Sequence, residues 1–214
     1  PAVEGLITRR LPAHKGQIVL KDLPAPKAGE PERFAYETVE GKLVLEGNTP
    51  VAQASALGWY LRHTAKVAPF WEGFDAARLP EKLPAAARVE QTTPYGKRVY
   101  FNYCTLSYSC AFWDWARWEY EIDLMAMQGV NMPLQAIGLE GVWYKMLQRP
   151  EIGFTEAEAR EFLVGPAYFA WQWMTNIERF GGPLPKAFIE DHIALGQKIT
   201  ARERDFGMTP IQQG

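Results

Sequence analysis

The sequence predicts an α/β protein in which a small α+β N-terminal domain, residues 1–98, is followed by the first βαβαβ part of a (β/α)8 TIM-like barrel, residues 99–214. Up to Arg98, short apolar segments are separated by Pro and Gly. After Arg98 the pattern changes to strand, helix, strand, helix, strand, which is typical of parallel sheets because parallel neighbours need a helical crossover. Only 116 residues follow Arg98, whereas a complete barrel needs about 250. We therefore expect a barrel truncated as its third strand begins; the alternative is a small, complete three-stranded α/β domain.

The N-terminal domain is predicted to contain an αββα layer. Apolar and polar side chains alternate in two segments, and Glu40-Gly41 between them supplies a hairpin turn. Pro50 lies where a helix begins, since its missing amide hydrogen costs nothing in the first turn. The connector at 76–94 is rich in Pro and Ala and has room for one more short strand. The predicted order is helix 2–11, an apolar stretch at 18–20, strand 34–40, strand 42–47 and helix 51–66.

The barrel part carries clear signals for helix ends. Apolar residues from Trp115 to Ala126 recur at helical spacing, and Gly129 follows them as a left-handed cap. Thr155 and Glu158 have the spacing of a capping box, in which the hydroxyl and the carboxylate each satisfy a backbone amide. The predicted elements are strand 99–104, helix 115–126, strand 130–135, helices 139–147, 157–163 and 185–206, and strand 208–212.

Composition excludes several function classes. With 23 Lys and Arg against 25 Asp and Glu, the chain has no positive excess to neutralise a phosphate backbone, so nucleic acid is not an expected partner. No apolar run of about 18 residues is present, so membrane insertion is not expected. Cys104 and Cys110 have neither the spacing nor the His companions of a zinc site, and no cofactor is expected.

Polar residues on the predicted helices are expected to face solvent, and we assign them neither catalysis nor metal binding. This applies to His14, His63 and His192, and to Glu119, Glu121 and Asp123.

Tryptophan is concentrated in the barrel part. Six of the eight Trp residues lie between Trp113 and Trp173. Flat aromatic rings with a polar edge suit stacking on sugar rings, but they also suit packing in the core. Both interpretations stay open for each Trp.

Candidate site residues follow the predicted strands, because barrel proteins carry their working residues at the C-terminal ends of strands. Amide, hydroxyl and carboxylate groups there suit a polyhydroxylated ligand, since each sugar hydroxyl both donates and accepts. The candidates are Asn102, Cys104, Thr105, Ser107 and Tyr108 after the first strand, Gln135, Gly138 and Glu140 after the second, and Gln212 and Gln213 after the third.

Each candidate also has a simpler interpretation. Asn102 and Tyr108 could bond the backbone of their own loop. Cys104 suits a small apolar lining of the pocket better than a catalytic thiolate. Glu140 is the only carboxylate at a predicted strand-to-helix junction in the barrel part; it could act as an acid or base, bind a hydroxyl, or cap the start of its helix.

Several sequence runs resemble one known family. Residues 102–123 and 125–131 resemble the start of the barrel in α-N-acetylglucosaminidases, glycoside hydrolase family 89. The runs 165–171, 182–185 and 206–210 follow in the same order as in the family. Residues 1–98 are similar to its small α/β N-terminal domain.

The resemblance implies a retaining exo-glycosidase that removes terminal α-linked N-acetylglucosamine from oligosaccharides. It implies that Asn102, Cys104, Tyr108 and Trp171 contact the sugar. Glu140 also matches a family glutamate, and we do not assign it as catalytic. The two catalytic glutamates are expected on later barrel strands, beyond Gly214, so the remainder of its own catalytic chain is an expected partner. The alternatives are a catalytically incomplete carbohydrate-binding fragment and an interaction module that docks a protein.

The cellular location follows from weaker signals. The chain begins with Pro and shows no signal peptide, so we expect it to have been processed or cut. No usable Asn-x-Ser/Thr sequon is present, because Asn48-Thr-Pro fails. A periplasmic or secreted bacterial protein is therefore favoured, and a lysosomal one if the source is an animal.

Overall fold

The computed structural model describes residues 1–212, and within them the chain forms two compact units. The first unit consists of Pro1–Tyr100, Tyr120–Pro133 and Glu203–Thr209. The second consists of Phe101–Glu119, Leu134–Arg202 and the residues from Pro210.

The described residues form a mixture of helices and strands, as expected for the predicted α/β class. The α-helices are α1 (Ala2–Arg10), α2 (Pro50–His63), α3 (Tyr103–Thr105), α4 (Trp115–Met127), α5 (Leu139–Leu147), α6 (Glu156–Phe162), α7 (Phe169–Trp173) and α8 (Lys186–Asp205). The strands are β1 (Ile18–Asp22), β2 (Arg33–Val39), β3 (Lys42–Gly47), β4 (Val89–Thr92), β5 (Val99–Tyr100) and β6 (Met132–Pro133). Within this described part, no helix is both long and apolar enough to cross a bilayer.

A four-stranded sheet in the order β1-β3-β2-β4 organises the first unit. The β2–β3 hairpin turns at Glu40-Gly41, where both residues have positive φ, as the sequence predicted. β4 is the extra short strand expected in the connector. β1 adds a strand that the predicted αββα layer did not include, because it is short, largely exposed and paired in parallel with β3 alone.

Helix α2 covers the sheet of the first unit. Thr49 Oγ1 accepts the Ala52 amide at 3.0 Å, and Pro50 opens the helix, as predicted. Leu57 and Leu61 are fully buried. The helix ends at His63, three residues earlier than predicted.

Two acidic side chains of α4 are buried, against the expectation that they face solvent. Glu121 and Asp123 have no exposed surface. The Asp123 carboxylate accepts two hydrogen bonds from Arg9, at 2.6 and 3.0 Å, and one from Arg10 at 2.8 Å. The prediction was wrong because residues 121–127 of α4 are all buried, and Asp123 pairs with arginines of α1 instead of water.

Two of the three histidines are also buried, against expectation. His14 lies beneath the surface of the first unit, where its Nε2 is 2.9 Å from the Pro80 carbonyl oxygen. His192 is buried in the second unit. His63 is exposed, as predicted.

The barrel strands are shorter than predicted, although their direction is as expected. β5 ends at Tyr100 because Phe101 takes a positive φ of 73° and the chain becomes helical from Tyr103. β6 pairs in parallel with β5. In the second unit the predicted third strand, 208–212, contributes one parallel bridge, Leu134 to Ile211. Gln213 lies outside the described residues.

The capping box of α6 forms as predicted. The Glu158 amide donates to Thr155 Oγ1 at 3.2 Å, and the Thr155 amide donates to the Glu158 carboxylate at 2.8 Å. Hydrogen bonds from the Thr155 backbone and hydroxyl lower the pKa of Glu158.

Candidate functional site

The segment that follows β5 is a short helix capped by Asn102. Asn102 Oδ1 accepts the Thr105 amide at 3.0 Å and lies 3.2 Å from the Thr105 hydroxyl. The side-chain oxygen of Asn102 therefore bonds its own segment, as the simpler interpretation of this residue expected. The side chain is exposed, and its Nδ2 amide has no hydrogen-bond partner among residues 1–212. That nitrogen is free to donate to a ligand.

A π-helical turn, Leu106–Cys110, continues this segment. Such turns are rare and often occur at functional sites. It presents the Tyr108 ring, which is 77% exposed. Cys104 is half-buried, and Cys110 is buried.

Four aromatic side chains form a continuous row on the second unit, which we call the aromatic row. The Tyr108 and Trp171 rings meet edge to face, with centroids 5.2 Å apart. Tyr168 lies 6.3 Å from Trp171, and Phe180 meets Tyr168 edge to face at 4.7 Å. The members Tyr108, Tyr168 and Phe180 are exposed, and Trp171 is half-buried.

One buried hydrogen bond joins the two segments that carry the aromatic row. The Ala170 amide donates to Ser107 Oγ at 2.9 Å, and Ser107 is buried. Ser107 was a candidate ligand, but its oxygen is used here to fix α7 against the π-helical turn. This hydrogen bond therefore holds together the two segments that carry the Tyr108 and Trp171 rings.

Glu140 lies in the first turn of α5 and is fully buried. Its Oε1 is 2.5 Å from Nδ1 of His192. Its Oε2 has no hydrogen-bond partner among the described residues. The preceding Gly138 has a φ of 90°, and a Cβ there would lie 2.9 Å from the His192 carbonyl oxygen. His192 on α8 thus fixes the position of the carboxylate. Among the described residues, no hydrogen bond joins Glu140 to the aromatic row.

Sequence reasoning missed His192 as the partner of Glu140. A signal was present, because His192 belongs to a stripe of α8 whose spacing of three and four residues marks the inward face. The stripe contains Ile189, His192, Gly196, Ile199 and Glu203, all buried.

The other candidates after the second strand serve the fold. Gln135 is buried; its Oε1 accepts the Ile137 amide at 2.6 Å, and its Nε2 donates to the Gly196 carbonyl at 3.1 Å. Gln212 is exposed. Tyr168 and Phe180, which the strand-end rule did not select, extend the exposed aromatic surface instead.

Metal binding finds no support in the part of the chain that the structure covers. Across residues 1–212, no three His, Cys, Asp or Glu side chains come together as a metal site would require. The chemistry that this surface offers is stacking and hydrogen bonding.

The described residues combine an α/β fold, barrel-type parallel pairing of β5 with β6, and an exposed aromatic row that begins on the segment after β5. The alpha-N-acetylglucosaminidase (NAGLU) tim-barrel domain model matches residues 98–214, and the NAGLU N-terminal domain model matches residues 1–85. The chain belongs to the alpha-N-acetylglucosaminidase family. The resemblance stated from the sequence is confirmed.

Individual relatives agree with this assignment. Human alpha-N-acetylglucosaminidase is 37% identical over 214 residues, which cover 98% of this chain and 28% of the human protein. A family 89 glycoside hydrolase from Clostridium perfringens, solved with its substrate GlcNAc-α-1,4-galactose, gives a TM-score of 0.90 at 35% identity. The same family 89 enzyme in complex with 2-acetamido-1,2-dideoxynojirimycin also gives 0.90, at 36% identity. In both cases 99% of this chain and 24% of the solved chain are covered, so the chain spans about a quarter of the length of these relatives.

Proposed function

We propose that this chain supplies the N-terminal domain, residues 1–98, and the opening part of the catalytic barrel, residues 99–214, of a retaining exo-glycosidase. The proposed reaction removes terminal α-linked N-acetylglucosamine from a glycan or glycoconjugate. The observation that carries the proposal is the aromatic row. It begins on the run that follows β5, which is the run that resembles the family most closely.

Each proposed sugar contact has a chemical reason. The rings of Tyr108 and Trp171 meet edge to face at 5.2 Å and offer a wall against which the C–H face of a sugar packs. Asn102 has an uncommitted Nδ2 amide that can donate to a hydroxyl. Cys104 is half-buried and lines the site as a small apolar side chain.

Glu140 is proposed to contact the substrate through Oε2, the oxygen that His192 leaves free. A carboxylate held on one side by an imidazole has a fixed direction for its second oxygen. That oxygen is buried in the structure, so a sugar hydroxyl would donate to it only after the side chains that cover it move. Glu140 is not assigned to bond cleavage.

Bond cleavage is proposed to need two carboxylates that lie beyond Gly214. In retaining enzymes the two groups are about 5 to 5.5 Å apart; one attacks the anomeric carbon while the other protonates the leaving oxygen, and water then releases the sugar from the enzyme. The Clostridium relative was solved with its substrate after two of its glutamates had been replaced by glutamine. This supports a glutamate pair as the cleaving groups.

The substrate and location are proposed at different levels of detail. The disaccharide bound by the Clostridium relative supports a glycan ending in α-linked N-acetylglucosamine. We propose a bacterial protein that is periplasmic or secreted, on the basis of its lack of a usable sequon. The human relative supports a lysosomal location if the source is an animal.

The second candidate function is sugar binding without hydrolysis by the 214 residues alone, which the half-buried Trp171 and exposed Tyr108 favour.

Binding of methyl N-acetyl-α-glucosaminide, followed by saturation-transfer NMR, tests the proposed sugar contacts. Tyr108→Ala and Trp171→Ala are expected to weaken binding about fivefold or more, because a ring contact contributes about 1 kcal/mol. Tyr95→Ala is the matched control, since Tyr95 is 71% exposed and lies in the first unit. Equal binding by Tyr108→Ala and the unmodified chain would contradict the proposal.

A further inference from the structure

The first unit contains a cavity of about 410 Å³ that is separate from the aromatic row. It is bordered by the strands β2 and β4, by α2 and by residues 127–129. Gly58 allows α2 to approach this last segment, because a Cβ on Gly58 would lie 2.1 Å from the Met127 carbonyl oxygen. The volume is within the usual range of small-molecule sites, about 300 to 1,000 Å³.

The charged groups at this cavity leave one cation available. Arg98 pairs with Glu32, and its guanidinium also donates to the carbonyl oxygens of Gly129 and Tyr95. These two charges therefore neutralise each other and are fixed in place. Arg62 is exposed and has no hydrogen-bond or ion-pair partner among the described residues. The cavity thus carries a net positive charge that its own side chains do not use.

A Trp ring with a fixed orientation lines the same cavity. Trp59 packs against Phe34, with ring centroids 6.0 Å apart, and against His63 at 4.4 Å. It keeps 37% of its surface exposed. A ring supported on two sides and open on another is a ready stacking surface.

Neutral hydrogen-bonding groups complete the lining. Gln91, Thr92 and Gln128 border the cavity and are exposed. Their side chains make no hydrogen bond within residues 1–212. Amides and a hydroxyl can both donate and accept, which is what sugar hydroxyls require.

We propose that this cavity binds an anionic saccharide, a hexuronate or a sulfated hexose. The Trp59 face stacks on the C–H face of the sugar ring, and Arg62 pairs with the carboxylate or sulfate group, a geometry that guanidinium favours. Gln91, Thr92 and Gln128 bind the ring hydroxyls. The proposal does not depend on the proposed glycosidase function, because it uses different residues in a different unit.

The test measures binding of glucuronate, glucose 6-sulfate and methyl glucoside by saturation-transfer NMR. Inorganic sulfate has no proton to observe, so its affinity is measured as a competitor that displaces glucose 6-sulfate. The two anionic sugars are expected to bind about tenfold more tightly than methyl glucoside, as a charge-assisted hydrogen bond predicts. Arg62→Gln should abolish that difference. Arg149→Gln, at an exposed arginine of the second unit, is the matched control and should bind like the unmodified chain.

Trp59 variants separate stacking from unfolding. Trp59→Ala should remove binding of all three sugars, whereas Trp59→Phe keeps an aromatic face and should retain most of it. Equal affinity for anionic and neutral sugars, or an Arg62→Gln variant that binds unchanged, would overturn the proposal. Inorganic sulfate binding as tightly as glucose 6-sulfate would also overturn it, since the site would then recognise an anion without a sugar. Tyr108→Ala should leave these affinities unchanged, so failure here is distinct from failure of the proposed glycosidase function.

Discussion

Glu203 is predicted to make the stability of this protein fall as the pH rises. The residue is 1% exposed on α8, and its Oε2 has no hydrogen-bond partner among the described residues. Burial raises its pKa from 4.5 to about 8, against a smaller opposing effect of Arg204. Between these values the folded protein keeps a proton that the unfolded chain has released, so the folded state is favoured most at low pH.

The magnitude follows from proton linkage. One pKa unit corresponds to 1.36 kcal/mol, so this carboxyl alone should lower the free energy of unfolding by about 3 kcal/mol between pH 4.5 and pH 7. Glu203→Gln removes the titrating group and keeps the volume. The free energy of unfolding of the variant should therefore equal that of the unmodified protein near pH 4.5 and exceed it by about 3 kcal/mol at pH 7.

Urea denaturation at a series of pH values measures this difference. Other groups titrate over the same range, but they are common to both proteins and cancel in the comparison. Glu190→Gln, at an exposed position of the same helix, is the matched control. Its free energy of unfolding should change with pH in parallel with that of the unmodified protein. Parallel curves for Glu203→Gln as well would refute the reasoning, because they would mean that Glu203 is ionised in the folded state at neutral pH.

Three further substitutions have expected outcomes in thermal or urea denaturation. Asp123→Asn should destabilise the protein by about 3 kcal/mol, since it leaves the two α1 arginines without a buried anion; a loss below 1 kcal/mol would argue against that pairing. Thr155→Ala removes the cap of α6 and should cost about 1 kcal/mol; Thr155→Ser, which keeps the hydroxyl, should restore most of it. Gly138→Ala should cost about 2 kcal/mol, because φ is 90° and the added Cβ would meet the His192 carbonyl; an unchanged midpoint would show that this turn can relax.

Features set by neighbouring residues could be predicted from the sequence. The Glu40-Gly41 turn and the Thr155 and Glu158 capping box were both predicted and are both present. Each depends on contacts within four residues, so composition and spacing determine it. The parallel direction of the barrel strands was also predictable, because the helical crossover between them requires it.

Features set by distant partners could not be predicted in the same way. Asp123 is buried because arginines more than 110 residues earlier reach it. A rule that places charged residues at the surface fails wherever such a partner exists. The strand predicted at 99–104 failed for a different reason: its β-rich composition does not reveal the positive φ of Phe101 or the helix that Asn102 caps.

The candidate site was predictable in part. Tyr108 and Trp171 were selected from the family resemblance, and their rings meet at 5.2 Å. Glu140 was selected by its place after a predicted strand, but its burial and its bond to His192 depend on how α8 packs. Tyr168 and Phe180 were missed because they lie in the segments before and after α7, and the rule used here selects only residues that directly follow a predicted strand.

Hydrolysis of an aryl N-acetyl-α-glucosaminide tests the central claim most directly. The 214-residue chain is compared with a protein that continues it through the rest of a family barrel. The account predicts hydrolysis by the longer protein only, with loss of activity when Tyr108 is replaced by Ala. Hydrolysis by the 214 residues alone would contradict it, because the cleaving carboxylates would then lie within this chain, with Glu140 as the first candidate.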